Sequence, residues 1–234
     1  MKTCIITGGS SGLGACLKSK LQAHYQIIDW SLETGVDVTD ERGIAEAIID
    51  LPNDEEKPVN ATIDLLINCA GYNYLEWITD FPAEEYEDEM DVNAKAIFLT
   101  AKRLAPLMVN GTICNIISTA SHVPMTHSIA YNASKAAAAM MTRQMAKELI
   151  LSHGIIVFGV SPSKMKNTQM TKYVDQRAAD LRKISKEQAE EYQRTKLLTG
   201  EEIEPDVCAE FIAWLLQEDH RHMYLAGCIL EYGA

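Results

Sequence analysis

The opening of the chain sets the tightest limit on what it can fold into. Thr3-Cys4-Ile5-Ile6-Thr7 is a short apolar, β-branched run that leads straight into Gly8-Gly9-Ser10-Ser11-Gly12-Leu13-Gly14, with helical periodicity from Leu13 to Ala23. Strand, glycine turn and helix in this order aim backbone N–H groups and the positive end of the helix at one point, where a pyrophosphate is received. Glycines let backbone and phosphate approach closely. A glycine cluster alone can be only a tight turn, but the strand before it and the helix after it favour a dinucleotide.

Beyond this unit, short Ile- and Val-rich runs alternate with longer helical stretches, the pattern of β-α units that build a parallel sheet covered on both faces. Strands are predicted near Thr3 to Thr7, Gln26 to Trp30, Val36 to Val38, Ile63 to Asn68, Thr112 to Ser118, Ile155 to Val160 and Cys228 to Glu231. Helices are predicted near Leu13 to Ala23, Glu41 to Leu51, Ala83 to Met108, Ala130 to Leu151 and Pro205 to Gln217. Leu51 to Asn60, with two prolines and a charge cluster, reads as a loop. The fold class is therefore α/β: a doubly wound, Rossmann-like parallel sheet of about seven strands with helices on both faces. The length, 234 residues with 47% hydrophobic composition, suits one domain spanning 1–234. Lys164 to Glu204 is polar and charge-rich, breaks the alternation, and is expected to be a mobile helical flap over a substrate.

Thirty-three acidic against 21 basic residues give a formal charge of −12, with acidic clusters at Asp54-Glu55-Glu56 and Glu84 to Glu89. That balance argues against nucleic-acid phosphates and anionic membranes as partners. No apolar run approaches the roughly 18 residues of a membrane span, so a cytoplasmic protein is expected. The six cysteines (Cys4, Cys16, Cys69, Cys114, Cys208, Cys228) are scattered without metal-ligand spacing, which reads as buried free thiols and no metal site.

Tyr131-Asn132-Ala133-Ser134-Lys135 places a phenol and an ammonium four residues apart, on one face of a helix. A nearby positive charge favours phenolate, so the pair reads as a general acid/base. The spacing alone is weak evidence, because Tyr192-Gln193-Arg194-Thr195-Lys196 repeats it in a charged, solvated-looking stretch. Context separates the two. Thirteen residues before Tyr131, Ser118 ends an apolar run at the carboxyl edge of a strand, whereas the residue 13 before Tyr192 is Ala179. Asn93 falls mid-helix, where asparagine needs a reason.

Thr7-Gly8-x-x-x-Gly12-x-Gly14, Asp37-Val38, Asn68-x-Ala70-Gly71, Asn93, Ser118 and Tyr131-x-x-x-Lys135 together resemble the single-domain branch of the short-chain dehydrogenase/reductase family. The resemblance runs from Lys2 to the last strand near Gly227 to Gly233. It implies NAD(P)-dependent, reversible hydride transfer between a nicotinamide and a small-molecule alcohol or carbonyl substrate, in which Tyr131 exchanges the proton. It further implies that Ser118 holds the substrate oxygen, that Lys135 lowers the tyrosine's pKa and binds the nicotinamide ribose, and that Asn93 distorts its helix and completes a proton relay. The cofactor contacts implied are Thr7, Gly8, Ser10, Ser11, Gly12, Leu13, Gly14, Ser31, Asp37, Val38, Asn68, Ala70, Gly71, Tyr131, Lys135, Pro162 and Thr168. A homotetramer, or failing that a homodimer, is the assembly implied. Two other readings fit the same residues: a dinucleotide-binding regulatory protein without turnover, and an epimerase or dehydratase that uses its cofactor transiently.

The chain departs from the family pattern in two places. Ser31 stands where an acidic residue would bind the adenosine ribose; with Asp29 and Glu33 close by and no cation in the local sequence, the site leans to NAD over NADP. Ser163 replaces the glycine that follows Pro162, and Thr168 comes one residue late. The substrate is expected among Tyr72, Tyr74, Trp77, His122 to His127 and the flap, where Lys164, Lys166 and Lys172 form either a solvated face or contacts to an acidic substrate.

Overall fold

The computed structural model describes residues 1–51, 63–217 and 222–233. Among them six strands form one parallel sheet: β1 (Lys2–Thr7), β2 (Tyr25–Trp30), β3 (Leu65–Asn68), β4 (Thr112–Ile116), β5 (Ile156–Pro162) and β6 (Ile229–Tyr232), in spatial order β2-β1-β3-β4-β5-β6. The carboxyl ends lie level, with Thr7 beside both Trp30 and Asn68, and Asn68 beside Asn115. From β1 the chain passes outward to β2 and returns on the other side as β3. That reversal opens a crevice at the carboxyl ends of β1 and β3, where open α/β sheets take ligands.

Successive residues of each strand face opposite sides, and here both sides are dry. Cys4, Ile6, Leu65, Ile67, Phe158 and Val160 pack against α1 (Gly12–Leu21) and α8 (Pro205–Gln217). Ile5, Leu66, Ile113 and Val157 pack against α2 (Glu41–Ile49), α4 (Ala96–Leu104) and α5 (Ile129–His153). The sheet is thus doubly wound. A buried polar chain ties the second side together: Thr100 Oγ1 donates to Asn68 Oδ1 (2.8 Å), Asn68 Nδ2 to Asn115 Oδ1 (2.8 Å), and Asn115 Nδ2 to Thr142 Oγ1 (2.9 Å).

The strand expected at Val36 to Val38 does not form. A parallel strand beside β2 needs a crossover of about a dozen residues or more, and only five separate Trp30 from Val36. Instead Leu32–Thr34 makes a 3₁₀ turn, Val36 N–H returns to Ser31 O (2.9 Å), and Asp37 folds back on Thr39 through its N–H (2.9 Å) and hydroxyl (2.7 Å). β2 is consequently an edge strand.

The single helix expected from Ala83 to Met108 is broken into α3 (Ala83–Met90), a π turn (Asp91–Lys95), α4 and a short 3₁₀ segment (Ala105–Leu107). The charged stretch after β5 forms α6 (Gln169–Arg182) and α7 (Lys186–Arg194), capped by Thr168 and by the Ser185–Gln188 capping box. The loop expected at Leu51 to Asn60 lies, past Leu51, outside the described residues. Cys4, Cys114 and Cys208 are buried free thiols, but Cys228 is exposed. Among the described residues no helix is long and apolar enough to cross a membrane.

Candidate active site

The glycine turn follows β1 with geometry that excludes side chains. Gly8 has φ 67°, and a Cβ there would stand 2.9 Å from Ala70 Cα; at Gly14 a Cβ would stand 2.2 Å from the Gly8 carbonyl oxygen. Backbone from two strand ends and the first turn of α1 therefore meets with nothing between. Thr7 is turned inward, its hydroxyl accepting from Cys69 N–H (3.0 Å) and Ala70 N–H (3.1 Å), which fixes the Asn68–Gly71 segment against the turn. Thr168 comes over the same spot, 3.9 Å from where a Gly12 Cβ would lie. With no acidic residue in the first turn of α1, this bare cradle at a helix N-terminus fits a dinucleotide pyrophosphate.

Beneath the turn, Asp29 is fully engaged. It accepts from Gly9 N–H (3.0 Å), from the Ser10 hydroxyl (3.0 Å) and from Lys18 Nζ (2.7 Å). Ser31 joins through its hydroxyl, 2.6 Å from that of Ser10. Lys18 is the cation that the local sequence lacked; it arrives from the second turn of α1. Asp37 is exposed and Val38 is packed in the core with Trp30 and Ile44.

Farther along the sheet edge, Ser118, Tyr131 and Lys135 converge. Ser118 follows β4 and its hydroxyl accepts from Ala120 N–H (3.2 Å). Tyr131 and Lys135 lie one turn apart on α5, and both are more than nine-tenths buried. The ammonium donates to Ile116 O (3.1 Å) and sits 5.8 Å from the Tyr131 ring centre. Burial pushes the Tyr131 phenol up to about 12, although a hydrogen bond from Ser118 works the other way. Burial pulls Lys135 down to about 8. In this state desolvation outweighs the expected activation of the phenol by the ammonium.

Asn93 lies in the π turn and is completely buried. Its Oδ1 accepts from Tyr72 N–H (2.9 Å), while Nδ2 donates to Tyr72 O (2.7 Å) and Ser134 Oγ (3.1 Å). The side chain thus clamps the loop after Gly71 to α5 beside Lys135, and it does so from the widened turn; π turns recur at functional sites. A Cβ on Gly71 would be 3.4 Å from Asn93 Oδ1 and 3.8 Å from Lys135 Nζ, so the glycine keeps this corner open. One turn earlier, Glu89 Oε1 accepts from Tyr74 N–H (2.9 Å). Glu89 was not singled out in the sequence, where it ends an acidic run; its position four residues before Asn93 was the available signal.

Ser163 continues the sheet, donating its N–H to Tyr232 O (3.0 Å) and its hydroxyl to Gly233 O (2.6 Å), and the left-handed residue is Asn167 (φ 60°). Lys164 is paired with Asp175 (2.6 Å) and Glu202 (2.7 Å), and Lys166 with Glu204 (2.9 Å). These charges are already matched. In the loop after Gly71, Trp77 meets His127 edge-on at 4.3 Å, and Arg177 of α6 pairs with Glu76 and donates to Leu75 O (3.2 Å), tying that helix to the loop. A cleft of about 880 Å³ opens between α6, α7 and residues 200–204. Its walls contain none of Asn93, Ser118, Tyr131 or Lys135 and carry both signs of charge, so we place the candidate site at the sheet edge. Among the described residues no cluster of His, Cys, Asp or Glu could hold a metal ion.

The chain belongs to the short-chain dehydrogenase family, whose sequence profile matches residues 2–179. It is 31% identical over 183 residues to an NAD-dependent glycerol dehydrogenase of Listeria innocua, an alignment covering 69% of this chain and 70% of that protein. It is 32% identical over 190 residues to a 5-keto-D-gluconate 5-reductase of Escherichia coli, covering 73% and 74% respectively. The sorbitol-6-phosphate 2-dehydrogenase of Erwinia amylovora superposes with a TM-score of 0.85 at 21% identity, over 98% of this chain and 97% of that one. That last match shows the shared fold.

Proposed function

We propose that this chain is a single-domain NAD(P)-dependent oxidoreductase that moves a hydride reversibly between the cofactor and a small polyhydroxy alcohol or its carbonyl form. The observation that carries the reading is the convergence of Ser118, Tyr131 and Lys135 on the sheet edge that also carries the glycine cradle. When bound, the nicotinamide ring supplies or accepts the hydride. The chain's own part is position and charge. Backbone N–H groups at the start of α1 hold the pyrophosphate, and Asn68 to Gly71 with Thr168 frame the cradle. Ser118 donates to the substrate oxygen as charge develops on it, a role typically worth a few kcal/mol of barrier. Tyr131 gives its proton to that oxygen in reduction and takes it back in oxidation. Lys135, whose ammonium donates to Ile116 O, would bind the nicotinamide ribose and bring its charge to bear on the phenol.

The polyol class is inferred from the activities named for the glycerol and 5-ketogluconate relatives. The test is a panel of polyols, sugar acids and their ketones followed at the nicotinamide absorbance, run with NAD and with NADP because Lys18 weakens the argument for NAD alone. Turnover of at least one member, lost in Tyr131→Phe, is the expected result; binding without turnover across the panel would overturn the reading. We also infer a homo-oligomer, supported by Phe98, Met140 and Leu151, which stand 49%, 63% and 84% exposed on α4 and α5. Light scattering giving a monomer mass would contradict it.

A further inference from the structure

α3 carries five carboxylates, and one of them faces inward. Glu84, Glu87 and Asp88 are exposed and Glu85 is half-buried, but Glu89 is 0% exposed. Its Oε1 accepts from Tyr74 N–H, while Oε2 is buried with no hydrogen-bond partner in the protein. Groups facing it come from each neighbouring element: Glu85 on its own helix, held by the Tyr72 hydroxyl (2.6 Å), Tyr72 and Tyr74 on the loop, Tyr131 on α5, and Tyr173 on α6 beyond the two loop tyrosines. No Lys, Arg or His forms an ion pair with it among the described residues. A carboxylate buried without a cation is far costlier than the neutral acid, so the group gains by holding its proton.

We propose that Glu89 is a positioning residue carried uncharged beneath the substrate loop, and that its ionisation weakens Tyr131 as an acid and so biases the direction of proton exchange. Glu89 and Asn93, one turn apart, hold Tyr74 and Tyr72 respectively, so the group that sets the charge also fixes the loop over the site. Burial pushes the Glu89 carboxyl up to about 7, and its negative charge, once formed, pushes the Tyr131 phenol further up. Below neutrality, with Glu89 uncharged, Tyr131 therefore yields its proton more readily, which suits reduction; above it, the phenol holds its proton more tightly and is the poorer donor. The sign for stability follows from the same shift. A carboxyl whose folded pKa is raised binds its proton in the folded state while the unfolded chain has released it, so stability is lost as pH rises from about 4.5 through about 7.

The direction of catalysis rests on the acid/base role proposed for Tyr131, but the test needs no substrate. Tyrosinate absorbance is titrated in the wild type against Tyr131→Phe, and in Glu89→Gln against the Glu89→Gln, Tyr131→Phe double variant, so that each difference isolates Tyr131. Its midpoint is expected to fall by about half a pH unit or more in Glu89→Gln, and equal midpoints would overturn the proposal. Melting temperature should decline between pH 5 and 8 in the wild type and stay nearly level in Glu89→Gln; parallel slopes would count equally against it. Should Glu89→Gln not fold, the infrared carbonyl band of a protonated carboxyl in glutamate-labelled wild-type protein decides: it should be present at pH 6 and fade by pH 8, and its absence at pH 6 would sink the idea. A shifted midpoint with no turnover on any alcohol would leave this inference standing and remove the oxidoreductase reading.

Discussion

Tyr131 with Lys135 and Tyr192 with Lys196 share one spacing, yet the first pair lies within α5 while Lys196 falls in the turn beyond α7, and the two pairs occupy opposite environments. Tyr131 is 9% exposed with its ammonium buried beside it, whereas Tyr192 is 43% exposed, with the Arg182 guanidinium 4.4 Å and the Lys196 ammonium 4.9 Å from its ring centre. Two cations over an exposed ring make a surface cation–π contact. A phenol and an ammonium deprived of water, by contrast, have their proton affinities driven apart, to about 12 and about 8, because burial disfavours the charged form of each. Spacing brings two groups together, and desolvation decides how far their proton affinities are perturbed.

The contrast can be broken or sharpened by experiment. Tyr131→Phe should lower kcat by roughly a hundred- to ten-thousand-fold while cofactor affinity, read by fluorescence titration, stays within about threefold; a variant as active as wild type would erase the distinction between the pairs. Ser118→Ala should cost about a hundredfold in kcat. Gly14→Ala puts a methyl against the Gly8 carbonyl and should destabilise by about 1–3 kcal/mol in thermal melting, with loss of cofactor binding. Lys135 has a lowered folded pKa, so the folded state is penalised while the group is charged, and stability recovers as pH rises from about 8 to 10.5. Lys135→Met should therefore be more stable than wild type at pH 7, by about 1–3 kcal/mol at most, with the advantage gone above pH 10.5. Tyr192→Phe should change kcat by less than about twofold and stability by less than about 0.5 kcal/mol.

What could be read from the chain beforehand follows what is local. β1, the glycine turn and α1 were legible because strand, turn and helix are consecutive, and Ser118, Tyr131 and Lys135 because they fall within 18 residues of one another. Val36 to Val38 misled because its β-branched pattern is intact while the crossover it would need is missing. The break at Asp91–Lys95 was legible only through the family resemblance, which places a helix-distorting asparagine at Asn93; the local pattern does not show it, because Asn93 is held by Tyr72, 21 residues away. Asp29 posed the same difficulty. As a residue near the end of β2 it looked free to bind a ribose, but Lys18 and Gly9 had already claimed it. Glu89 was hidden by its company, since four exposed or half-exposed acids around it gave no hint that one faces inward.

The polar chain from Thr100 through Asn68 and Asn115 to Thr142 has a bearing on how the molecule assembles. Sliding β3 past β4 by one residue would turn Asn68 onto the other side of the sheet from Asn115, leaving dry amides without partners on both sides. A purely aliphatic sheet centre would tolerate that slip with only poorer packing. These four side chains act instead as a key cut for one alignment, the one on which the loops that follow Asn68 and Ile116 are built.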